Sequence, residues 1–102
     1  MIQYSVEFTA SAKEDYENLR SYQITHPKLD ISSLEVAITS LELMPERYPF
    51  FEEKLLVSNQ VRILKEGDFC VFYYINKENK VVSVIRILYV QTRAVEQQLV
   101  TQ

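Results

Sequence analysis

The chain has 102 residues, 47% of them apolar and 25% charged, with one glycine, three prolines and a net charge of −3. That is enough chain for a single core, and the balance excludes a disordered or low-complexity polymer. No apolar run approaches membrane-spanning length, and the opening MIQYSVEFT lacks the basic and apolar regions of a signal peptide.

Read in chain order, Ile2, Tyr4, Val6 and Phe8 alternate as a half-buried strand does. Ser11 and Glu14 then have the spacing of a capping box, and Ala12, Tyr16, Leu19 and Tyr22 make one helical stripe, predicting a helix over 11–24. His26-Pro27 ends it. Ser32 and Glu35 repeat the capping spacing and open a second helix over 32–44, with Leu34, Ile38, Leu41 and Met44 as its apolar stripe. Pro45 stops that helix, and Pro49 keeps PERYPFFEE irregular. The remainder reads as strand: KLLVS (54–58), QVRILK (60–65), DFCVFYYI (68–75) and VVSVIRILYV (81–90), the last two joined by the polar turn NKENK. Residues 93–101 have room for one or two helical turns. The expected architecture is a single α+β domain over 1–102: an N-terminal strand, a two-helix hairpin, then an antiparallel meander of three to four strands.

Charge is unevenly placed. Residues 1–53 carry four basic side chains against ten acidic ones, while 54–93 carry seven basic against three acidic. A cationic face suited to nucleic acid or an acidic partner is one reading of that split, and scattered solvated charge is the other. The chemistry-bearing patterns that can be excluded are many. One histidine, His26, and one cysteine, Cys70, form neither a triad nor a metal-ligand set, and Gly67 alone cannot make a phosphate-binding loop. No cofactor and no metal are expected. The lone cysteine also fits a reducing cytoplasm.

Arg86 is the conspicuous residue. Alternation along 81–90 puts Val82, Val84, Arg86 and Leu88 on one face, so an arginine stands in line with apolar side chains. It is either a rim arginine paired with a helix carboxylate such as Glu14 or Glu17, or a functional cation beside Arg62 and Arg93.

The whole pattern resembles the RelE/ParE superfamily of type II toxin–antitoxin toxins. The resemblance lies in VEFTASAKEDYENLRSY, in the helix-ending Leu43 to Pro45, and above all in VRILKEGDFCVFYYINKENKVVSVIRILYV. It implies a small toxin neutralised by a cognate antitoxin and aimed at either DNA gyrase, as in the ParE branch, or the ribosome and its mRNA, as in the RelE branch, with no membrane role. Were the chain a ribosome-dependent mRNA endoribonuclease, Arg62, Arg86, Tyr89 and Arg93 would be its catalytic residues. Such chemistry needs a proton acceptor, a proton donor and cations around the phosphate. Two departures weigh against it: the central-strand arginine common in RelE-type enzymes falls near Phe69 or Cys70, and VQTRAVEQQLVTQ holds one Arg with neither Tyr nor His. The helical half looks closer to the ParE branch. A degenerate, purely binding member of the same fold is the third reading. For the antitoxin, Tyr48, Phe50, Phe51, Arg62 and Arg93 are the expected contacts.

Overall fold

A computed structural model describes residues 3–51 and 60–90. The N-terminal strand β1 (Ser5–Phe8) leads directly into α1 (Ala10–Thr25), followed by α2 (Ser32–Thr39) and two single turns of 3-10 helix, Ser40–Glu42 and Pro45–Arg47. Three strands complete the order: β2 (Arg62–Glu66), β3 (Phe69–Asn76) and β4 (Val81–Tyr89). They form one four-stranded sheet in the order β1-β4-β3-β2. The meander β2-β3-β4 is antiparallel as expected, whereas β1 joins β4 in parallel, with Ser5 opposite Val81 and Phe8 opposite Val84. A parallel neighbour requires a long crossover, which the helical hairpin supplies. The proposed strand 54–58 and the helical turns at 93–101 lie outside the described residues.

The N-cap of α1 lies two residues earlier than its capping box suggests. Thr9, not Ser11, is the N-cap, and its hydroxyl accepts the Ala12 N–H at 3.2 Å. At α2, Asp30 does the work expected of Ser32 and Glu35: its carboxylate accepts both the N–H and the hydroxyl of Ser32. Glu35 is instead taken by the Tyr16 hydroxyl, which ties α2 to α1. Both helices lie on one face of the sheet. There Ala12, Leu19, Leu34, Ile38 and Leu41 meet Leu64, Val71, Tyr73, Val82, Val84 and Ile87 in the core. The named stripes are therefore buried, except at their ends. Tyr22 is exposed and stacks on His26 with centroids 3.8 Å apart. Met44 is 71% exposed and adopts φ 52°, because the chain turns left-handed there rather than continuing a helix to 44. That turn carries Pro45 into the interior, where its carbonyl accepts the Tyr73 hydroxyl at 2.6 Å.

The alternation of β4 also breaks. Phe72 pairs with Arg86 but Tyr73 pairs with Val84, so Ile85 is an extra residue, a β-bulge. Past it the inward parity switches: Val82, Val84 and then Ile87 are buried, while Arg86 and Leu88 are exposed. Arg86 is thus not in the apolar row that simple alternation assigns to it. The two-residue turn joining β2 to β3 needs its glycine, since Gly67 has φ 57°.

Candidate partner-binding site

The loop between the second 3-10 turn and β2 returns along the edge of the sheet. The Phe51 N–H donates to the Val61 carbonyl at 2.7 Å, and the Ile63 N–H to the Pro49 carbonyl at 3.0 Å, with Phe50 bridged to Arg62. Pro49 fits because it has no N–H to offer and its carbonyl is the group used. The consequence is that two adjacent phenylalanines leave the backbone in opposite directions. Phe51 reaches the sheet face away from the helices and meets Phe72 edge-on, 5.0 Å between centroids. Phe50 remains 48% exposed.

Arg62 organises this corner. Its guanidinium carbon lies 4.0 Å from the centroid of Phe50, a cation–π contact. One Nη1 donates to the Tyr48 carbonyl at 2.6 Å and the Glu46 carbonyl at 3.1 Å. Beneath it, paired across the strands, is Tyr73, whose phenol is pushed up to about 12 by burial, with Arg62 pulling the other way. Tyr48 packs against the core, and Arg47 stands 5.0 Å from its ring centroid. Next to Phe50 and Arg62 opens a groove of about 520 Å³, lined also by Gln60, Tyr74, Asn76 and Lys77. Lys77 forms an exposed ion pair with Glu46 at 3.7 Å, a weak contact in water.

Tyr48, Phe50, Phe51 and Arg62 therefore converge. Arg86 and Tyr89 do not join them. Cross-strand partners share a face of the sheet, so Arg62 stands in the Tyr73 row and Arg86 in the Phe72 row, which point to opposite sides. Arg86 is paired with a helix carboxylate, but with Asp15 rather than Glu14 or Glu17: Nε at 2.7 Å from Oδ2 and Nη2 at 3.2 Å from Oδ1. Burial raises the Asp15 pKa, and the hydrogen bonds from Arg86 and from the Ile87 N–H, with the charge of Arg86, outweigh it and leave the carboxyl below its usual range. The ring of Tyr89 packs between Phe69, at 5.1 Å, and Tyr22, at 6.2 Å. Arg93 lies outside the described residues. Among the described residues no three His, Cys, Asp or Glu side chains gather as metal ligands, and no helix is long and apolar enough to cross a membrane.

Two residues of this framework escaped the sequence reading. For Tyr73, nothing in its sequence neighbours marks the Pro45 carbonyl as its partner. Asp15 did carry a signal: it stands three residues after Ala12 and four before Leu19, inside the apolar stripe.

The sequence matches the ParE toxin of type II toxin–antitoxin systems (parDE) over residues 6–93. The chain belongs to the ParE toxin family. It is accordingly the toxin component of a type II toxin–antitoxin system. Similar folds occur in the RelBE2 toxin–antitoxin complex from Mycobacterium tuberculosis, at TM-score 0.65 and 22% identity, covering 87% of this chain and 93% of that one. The chromosomal ParDE system of P. aeruginosa gives TM-score 0.65 at 14% identity, with 89% and 100% covered. A metal-bound toxin from Helicobacter pylori gives 0.58 at 15%, with 88% and 97% covered. No curated protein sequence matches. At these identities the structural likeness speaks to the fold, an α+β domain of the RelE/ParE kind.

Proposed function

We propose that this ParE-family toxin arrests growth by occupying its target rather than by cutting RNA, with DNA gyrase as the target class, and that a cognate antitoxin binds it at the Phe50–Arg62 corner. One observation carries the first half. Arg62 and Arg86 are each committed to internal partners on opposite sides of the sheet, and Tyr89 is packed among aromatic rings. Cleavage through a 2′-hydroxyl would need these groups around one phosphate. Binding needs only an accessible, pre-formed surface. The antitoxin reading is supported by an exposed phenylalanine and an arginine held rigid at the mouth of a groove, the residue types that anchor protein interfaces. That similar structures are toxin–antitoxin assemblies supports it too.

The deciding experiment is induced expression with DNA and protein synthesis followed in parallel. Replication failing first, with full-length mRNA on the ribosomes, is the expected result. Early loss of translation with mRNA cut in the ribosomal A site would replace this reading by the endoribonuclease one and make Arg93 the residue to test. Co-expression of the adjacent reading frame should restore growth and raise the toxin's apparent stability by mass action.

A further inference from the structure

Among the described residues no strand covers the second half of the outer edge of β4. β1 spans four residues and β4 nine, so pairing ends at Phe8 opposite Val84. Beyond that point β4 continues through Ile85, Arg86, Ile87, Leu88 and Tyr89, a largely apolar stretch of the kind of edge to which a second strand adds. The chain meets this edge with α1. The Thr9 N–H donates to the Val84 carbonyl at 3.0 Å, and the Thr9 hydroxyl to the Ile85 carbonyl at 3.2 Å. One helical turn later, Asp15 Oδ2 accepts the Ile87 N–H at 2.9 Å.

We propose that Asp15 closes the free edge of β4 to strand addition, and that the occupant it excludes is the same edge of a second copy of this chain. An incoming strand would have to place a carbonyl oxygen on the Ile87 N–H. A carboxylate already holds that position, and a charged acceptor binds an N–H more strongly than a carbonyl does. Arg86 is the positioning residue: its two-point contact fixes the carboxylate in the plane of the sheet edge. The bulge at Ile85 serves the same end, since past it the inward parity switches and Arg86 is exposed while still paired with Phe72. A second copy is the natural competitor because two such edges, each rich in isoleucine and leucine, match one another about a twofold axis. Among the described residues the terminal strands of the sheet are β1 and β2, and on β2 alternation from the outward Ile63 N–H points the Lys65 N–H away from the sheet.

Amide hydrogen exchange on the unaltered protein tests the cap directly. The Ile87 N–H should exchange at least roughly tenfold more slowly than that of Lys65, as a bonded amide does. Sedimentation velocity over a range of concentrations tests the excluded partner. Asp15→Ala should show a concentration-dependent association that the parent chain lacks, while Asp15→Asn, which keeps an oxygen for the Ile87 N–H, should sediment as the parent does. Equal exchange at Ile87 and Lys65 would overturn the proposal, whether or not the alanine variant folds. So would a folded Asp15→Ala with the parent's sedimentation, or an Asp15→Asn that associates as the alanine variant does.

Discussion

Removing a single oxygen, Tyr73→Phe, should loosen the corner that carries Phe50 without disturbing the packing of the core. The Tyr73 ring is fully buried and its hydroxyl donates to the Pro45 carbonyl at 2.6 Å. Phenylalanine keeps the ring and leaves that carbonyl buried without a donor, a loss of about 1–3 kcal/mol. For a domain of this length that is a fall in Tm of roughly 5–15 °C. Alkaline titration gives an independent signature. The phenol is raised from its ordinary value to about 12, first by burial, so the unfolded chain loses this proton before the folded one does. The stabilisation is complete below the unfolded value and is lost as pH climbs from about 10 through about 12. Denaturation followed by circular dichroism at neutral pH and across that window should show the parent losing stability faster than Tyr73→Phe. The variant retains the smaller dependence due to Tyr16, which the Glu35 hydrogen bond also raises. A variant with the parent's Tm and the parent's alkaline slope would refute the reasoning.

Leu41→Ala, at a fully buried position of the helical layer, should cost about 2–5 kcal/mol in urea unfolding. Because the Asp15 pKa is depressed, its contribution is present above the usual carboxylate range and is lost as pH falls through the lowered folded value. Asp15→Asn should therefore flatten the acid limb of the stability curve below about pH 4, measured by thermal melts. Arg62→Ala removes the donor to the Glu46 and Tyr48 carbonyls and the cation over Phe50. It should lower stability by about 1–2 kcal/mol and weaken antitoxin binding together, as read by melting and calorimetric titration. Phe50→Ala should weaken antitoxin binding by about 1–3 kcal/mol with the Tm almost unchanged, since the ring is half exposed in the free chain.

Much of this fold was legible because periodicity and proline placement act locally. The stripe of Ala12, Tyr16 and Leu19, the stripe of Leu34, Ile38 and Leu41, and the strands around the Gly67 and NKENK turns all appear where the pattern puts them. What failed depended on distant atoms. The helix entries differ from the capping-box pattern because the N-caps are Thr9 and Ile31 rather than Ser11 and Ser32, which only the backbone direction at each entry decides. The parity of β4 was misread because a bulge leaves no mark in a run of Ile, Arg, Ile and Leu. The site divides in the same way. Tyr48, Phe50, Phe51 and Arg62 lie within fifteen residues of each other, so the proline-bounded loop needs only to fold back on the start of β2 to bring them together. The Arg86 partnership spans 71 residues, and which carboxylate takes it depends on how α1 crosses the sheet.

The two arginines show how one residue type is put to different uses by the strand it sits on. Arg62 is near the start of an edge strand, beside a loop whose carbonyls face it, so the guanidinium satisfies two backbone acceptors of that loop and stiffens an aromatic corner. Arg86 is in an interior strand whose outer neighbour ends early, so its guanidinium is drawn to the helix that replaces that neighbour. Neither is positioned by its immediate neighbours in sequence; Arg62 is positioned by the returning loop and Arg86 by the helix that follows the short strand β1. For the same reason stability and partner binding are coupled at Arg62 and separable at Phe50. Arg62 belongs at once to the framework, paired across the strands with the buried Tyr73, and to the surface, while Phe50 offers half its ring to solvent and meets the framework through its contact with Arg62. A toxin silenced at this corner can change its partner preference at Phe50 at little cost to folding, whereas changes at Arg62 are constrained by the carbonyls it holds.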